Sequence, residues 1–157
     1  MLLLTGEYEH IVDSKSRVLI TNKLRSQIDV DEHGSNFYIV LGVNGILCLY
    51  PERYFEQTVL SGAPQSAAPD EAVAFERLSF ALASKVELDN QGRLLINEKL
   101  RKRAALKDHI TLVGIRDHIE LWNSESWEQY LGDHMTQYQK QMAQARQVML
   151  QKQNKDL

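Results

Sequence analysis

Cysteine is almost absent from this sequence, with Cys48 alone among 157 residues. A single cysteine excludes an internal disulfide and a cysteine-cluster zinc site. Cys48 falls in an apolar strand pattern, so a buried and inert thiol is expected. Long apolar runs are also missing. No stretch approaches the ~20 residues of a membrane span. The opening MLLLTGEYEH has neither the basic start nor the extended apolar core of a signal peptide. A cytosolic protein with no membrane partner is the expectation. Glycine-rich phosphate loops are lacking too. His10, His33, His109, His118 and His134 have no metal-ligand spacing and no nucleophile partner, so core or surface roles are expected. No cofactor, metal or catalytic residue is assigned.

What the chain has is a phrase written twice. VDSKSRVLITNKLRSQI starts at Val12 and LDNQGRLLINEKLRKRA at Leu88. With Asp13 set against Asp89, seven of the thirteen positions Asp13–Arg25 are identical. Unrelated segments would agree at about one, so this is an internal repeat. The likeness resumes downstream, where VLGVNGILCLY (Val40–Tyr50) lines up with LVGIRDHIELW (Leu112–Trp122).

Charge follows the same division. The net charge is −3, which speaks mildly against a nucleic-acid partner. Yet Arg93–Lys107 carries six basic residues against Glu98, and Asp13–Arg25 carries four against Asp13. Acidic residues gather elsewhere, at Asp117, Glu120, Glu125, Glu128 and Asp133. The basic charge therefore sits in the repeated phrase.

Patterning predicts the same elements in each copy. YEHIVD and KVELD alternate as half-buried strands. A turn follows; Asp89 first and Gly92 fourth suit a type I turn ending in a left-handed residue. Ser16 stands at the equivalent place, where a left-handed backbone is less comfortable. Short strands Val18–Ile20 and Leu94–Ile96 come next, then Thr21 and Asn97 as caps of short helices. Two further strands close each copy, Phe37–Leu41 with Ile46–Tyr50 and Ile110–Val113 with His118–Trp122. Gly42–Gly45 reads as a hairpin turn. Ser61–Pro69 is a linker by composition, and Asp70–Leu82 a helix. From Ser124 to about Lys152 another helix is expected. Leu131, Met135, Tyr138, Met142, Ala145 and Met149 form a heptad stripe on it, to be covered by the same domain or by another chain.

Paired Asp-x-x-x-Arg turns, each followed by Lys-Leu-Arg on a helix, make the chain resemble the MraZ family of bacterial transcriptional regulators. GEYEHIVDSKSRVLI (Gly6–Ile20), ELDNQGRLLI (Glu87–Ile96) and LVGIRDHIELWNSESWEQYL (Leu112–Leu131) carry the likeness, over roughly Leu4–Leu131. Family members usually have Gly where Ser16 stands and Pro where Thr21 and Asn97 stand. The resemblance implies an α+β, mainly β fold of the SpoVT-AbrB type. In it two repeats swap hairpins into one β-barrel, with short helices and here a long C-terminal helix. It also implies ring-shaped homo-oligomers and binding to short direct repeats in promoter DNA of the division and cell-wall operon, mostly as a repressor.

The expected organisation is repeat 1 over 6–55, a linker and central helix over 56–83, repeat 2 over 84–128 and a helical tail over 129–157. Arg17 and Arg93 leave protruding turns beside Lys15 and are candidates for base contacts in double-stranded DNA. Lys23, Arg25, Lys99, Arg101, Lys102 and Arg103 on the helices are candidates for phosphate. Asp13 and Asp89 orient the turn arginines. A cytoplasmic, nucleoid-associated regulator is the favoured function. The alternative is a protein-interaction module, antitoxin-like in its partner binding. In that case the turn pairs are hairpin ion pairs and the helix charges a solvated face.

Overall fold

The computed structural model describes residues 1–59 and 69–157. Most of the expected linker, Ser61–Ala68, lies outside them. The chain divides into two units, Met1–Ser124 and Glu125–Leu157.

The first unit is α+β and mainly strand. Its first half runs β1 (Glu7–Ile11), β2 (Arg17–Leu19), α1 (Asn22–Arg25), α2 (Val30–His33), β3 (Phe37–Leu41), β4 (Leu47–Pro51) and α3 (Glu52–Tyr54). A single π-helical turn, Phe55–Val59, extends α3. After α4 (Pro69–Ala81) the second half runs β5 (Ser84–Val86), β6 (Arg93–Leu95), α5 (Glu98–Arg103), β7 (His109–Ile115) and β8 (His118–Asn123). Each copy thus follows the expected order of strand, strand, helix, strand, strand. The sequence pattern does not predict α2. Asp29 starts it by accepting from the backbone N–H of Asp31 at 3.0 Å.

Pairing crosses between the copies. β1 lies antiparallel to β7, Glu7 opposite Val113 and Ile11 opposite His109. β5 lies antiparallel to β3, with Phe37 opposite Val86. The first strand of each copy therefore joins the hairpin of the other. The full order is β1-β7-β8-β4-β3-β5, and β2 and β6 form a ribbon of their own. The six-stranded sheet is open, with β1 and β5 as its edges, rather than closed into the barrel that the resemblance implies. Two local features end the ladders. The KVELD strand leaves its partner after Val86, where the Leu88 N–H turns to the Asn36 side-chain oxygen at 3.2 Å. Beyond β1, Asp13 diverts the chain into a turn.

Alternation puts one face of these strands in a common core. Val12, Val18, Ile20, Leu24, Ile39, Leu47, Leu49, Leu94, Ile96, Leu100, Ile110, Leu112, Ile119 and Leu121 belong to it. Leu24 and Leu100 are the buried residues of α1 and α5. Each pins a short helix that has little stability alone, and truncating either to Ala would cost about 2–5 kcal/mol. Gly114 is required by close approach, because a Cβ there would lie 2.6 Å from the Thr5 backbone nitrogen. Cys48 is buried as expected. Burial, with Glu120 and Asp117 adding to it, pushes its thiol pKa up to about 12.

The second unit is helical. α6 spans Ser124–Lys155, three residues past the expected end, and none of its residues is buried. Trp127 stacks on Tyr130, and Tyr130 on His134 at 4.0 Å between ring centres. Met135, Tyr138, Met142 and Met149 of the stripe lie exposed. No helix among the described residues is long and apolar enough to cross a membrane.

Candidate nucleic-acid interface

The two turns have the same internal bonding. Asp13 Oδ1 accepts from the backbone N–H groups of Lys15 and Arg17, both at 2.9 Å. Its Oδ2 accepts from Arg17 Nε at 2.7 Å. Asp89 repeats this with Gln91 and Arg93 at 2.9 Å through Oδ1, and with Arg93 Nε at 2.9 Å through Oδ2. The fourth residue of each turn is left-handed, Ser16 at φ 59° and Gly92 at φ 79°. The backbone N–H of Arg17 is the largest influence holding the Asp13 carboxyl below its ordinary value; the N–H of Arg93 does the same for Asp89.

These carboxylates take the Nε edge of each guanidinium, which leaves the terminal nitrogens of a planar fork for a second partner. β2 and β6 then bring the turns together. Leu19 faces Arg93 and Arg17 faces Leu95 across the ribbon. Val18 and Leu94 point into the core, so Arg17, Leu19, Arg93 and Leu95 share the outer face. Arg93 Nη1 also reaches Asp13 Oδ2 of the other turn at 4.0 Å. Leu19 and Leu95 are exposed on this face, at 37 % and 57 %. The ribbon thus presents two arginines alternating with two leucines.

Behind it, two of the helix arginines face inward. Arg101 donates to Leu106 O at 3.1 Å and to Ser16 Oγ at 2.9 Å, and pairs with Asp108. Arg25 donates to Ile20 O at 2.9 Å and to Asn22 Oδ1. Its guanidinium lies beside Gly92, where an added Cβ would be 2.7 Å from its Cζ. Each helix arginine therefore sits under the turn of the other copy. That explains the difference at the fourth turn position: Gly92 leaves room for Arg25, whereas the Ser16 hydroxyl is a hydrogen-bond acceptor for Arg101. Sequence spacing hides this exchange, which depends on the β2–β6 pairing. The mismatch of Ser16 with Gly92 was its one visible trace.

The remaining cations are exposed. Lys15, Lys23, Lys99, Lys102 and Arg103 all lie at the surface, and Lys102 pairs with Glu98 at 3.2 Å. Thr21 and Asn97 cap their helices as expected, accepting from Leu24 N at 3.3 Å and Leu100 N at 2.8 Å. Residues able to hold a metal ion lie on other strands, β4 and β8.

Two tandem turn–strand–helix units that share one ribbon make this a β-rich, repeat-built protein. The family described as "MraZ protein, putative antitoxin-like" matches residues 3–77 and 79–152. A relative from Finegoldia magna, named Transcriptional regulator MraZ, is 39% identical over 133 residues, covering 85% of this chain and 90% of that one. Namesakes from Pediococcus pentosaceus, 39% identical over 79% of this chain and 83% of theirs, and Lachnoclostridium phytofermentans, 34% identical over 85% and 95%, agree. The chain belongs to the MraZ family.

Proposed function

We propose that the chain is a sequence-specific DNA-binding transcriptional regulator and not an enzyme. The observation behind it is the duplicated Asp-buttressed arginine on the outer face of one ribbon. A two-stranded ribbon fits the major groove, where an arginine fork can meet guanine O6 and N7, and a leucine can meet a thymine methyl. Lys15, Lys23, Lys99, Lys102 and Arg103 contact phosphate and set the register. Arg25 and Arg101 hold the turns in place from behind, and Asp13 and Asp89 orient the readers.

One ribbon offers few contacts, so affinity comes from several protomers on short direct repeats upstream of the division and cell-wall operon, where the protein represses from a nucleoid-associated state. A ring-shaped homo-oligomer supplies that spacing. Val73, Phe75, Leu78 and Phe80 of α4 are exposed, a surface a second copy can cover. The cross-copy pairing supports the swapped-hairpin form of the fold, with repeats over 6–55 and 84–128, the linker and central helix over 56–83, and the tail over 129–157.

A gel shift on the DNA upstream of its own gene tests this. Arg17→Ala should lose specific binding by roughly 1–3 kcal/mol per engaged protomer, while remaining folded and assembled. Unchanged affinity would remove the turn as the reader. The exposed apolar side chains of α4 also favour a second reading, an antitoxin-like binder of another protein. A wild-type chain that leaves the upstream DNA unshifted at low salt would point there.

A further inference from the structure

β4 and β8 meet with Cys48 opposite Glu120 and Leu49 opposite Ile119. Leu47, Leu49, Ile119 and Leu121 join the core. The alternate residues Cys48, His118 and Glu120 therefore share the other face. There a thiol, an imidazole and a carboxylate each bring one donor atom within 4.8 Å of the others.

The surrounding contacts aim these donors. Asp117 Oδ1 lies 2.7 Å from His118 Nδ1, and Asp117 Oδ2 accepts from the Tyr54 hydroxyl at 2.7 Å. With Nδ1 held by Asp117, the other ring nitrogen of His118, Nε2, lies 4.0 Å from Glu120 Oε2. The other Glu120 oxygen accepts from Trp122 Nε1 at 3.1 Å. Tyr50 stacks on the imidazole at 5.0 Å between ring centres. A sulfur, an imidazole nitrogen and a carboxylate oxygen thus converge on one point, a donor set of the kind that holds a cation.

We propose that Cys48, His118 and Glu120 form a three-ligand site for a thiophilic divalent cation of the Zn(II) type. One sulfur, one imidazole nitrogen and one carboxylate oxygen are ligands Zn(II) takes, at roughly 2.0–2.3 Å. Binding would draw the three donors in from separations of up to 4.8 Å, and water would complete the ligand set. Asp117 fixes which imidazole nitrogen faces the ion. The thiol proton is released on binding, and the imidazole enters neutral. Cys48 belongs to the first copy and the other two ligands to the second. The ion would fasten the two copies across β4 and β8, whose ladder runs only from Leu47–Leu121 to Leu49–Ile119. Cys48 and His118 stand seventy positions apart, which is why no ligand spacing appears along the chain.

Cobalt titration of the full-length, reduced, metal-free protein tests the site. Because Cys48 is the single cysteine, a sulfur-to-cobalt charge-transfer band can arise from it alone. The band should saturate at one Co(II) per chain and vanish when Zn(II) is added. Zn(II) should raise the melting temperature and Mg(II) should not. Cys48→Ser should abolish band and thermal shift. His118→Gln and Glu120→Gln should weaken cobalt binding by roughly tenfold or more while the circular dichroism spectrum stays native; they carry the test alone if Cys48→Ser does not fold. A wild-type protein without the band would overturn the site, as expected if a doubly protonated His118 bridges Asp117 and Glu120. Undiminished cobalt affinity in both variants would overturn it too, leaving an isolated thiol ligand.

Discussion

Ser16 carries two opposed effects. Its φ of 59° costs roughly 1 kcal/mol for a residue with a Cβ. Its hydroxyl accepts from Arg101 at 2.9 Å, a partly buried bond to a charged donor that contributes a similar amount. Ser16→Gly removes both and should change the melting temperature little. Ser16→Ala keeps the strain and loses the bond, so it should be less stable than Ser16→Gly by roughly 1 kcal/mol. Urea melts of the two variants decide; equal midpoints would mean that the turn carries no strain. Asp13 and Asp89 give the turns a pH dependence. Their folded pKa values are depressed, so the stability they contribute is complete above the ordinary value of 3.8 and is lost as pH falls through the lower folded values. Melting temperature against pH should drop in that acid window. The double variant Asp13→Asn, Asp89→Asn should flatten the drop, and an unaltered slope would assign the acid sensitivity to other carboxylates.

Among the elements, α1 and α5 separate two jobs. Leu24 and Leu100 face the core, Arg25 and Arg101 reach under the opposite turns, and the remaining cations face outward. Neutralising Lys99, Lys102 and Arg103 should weaken specific and random DNA alike, and should flatten the salt dependence by roughly one unit of slope per lost phosphate contact. A loss confined to the operator would contradict a phosphate role. How much of this was legible beforehand depended on range. The turns could be read because Asp, a left-handed position and Arg lie within five residues. The caps could be read because Thr21 and Asn97 sit immediately before their helices. α2 was hidden because Val30–His33 is too short to show periodicity. The partnering of Arg25 with Gly92 and Arg101 with Ser16 was hidden because it needs the β2–β6 register. Likewise, nothing along the chain brings Cys48 toward His118.

As a whole molecule, the chain keeps its sheets in Met1–Ser124 and its long helix in Glu125–Leu157. The elements of both copies are complete by Asn123. Cutting after Tyr138 should leave the protein folded and able to bind DNA, with any change confined to assembly. Light scattering and a gel shift on one sample check this. An unfolded or DNA-inert truncation would make the tail part of the core. The pairing of β1 with β7 has a consequence for synthesis. Glu7 cannot meet Val113 until the ribosome has added 106 residues. At about 5–20 residues per second, the first strand waits roughly 5–20 s for its partner. During that delay the nascent chain holds an unsatisfied strand edge, which neither copy can close from its own residues.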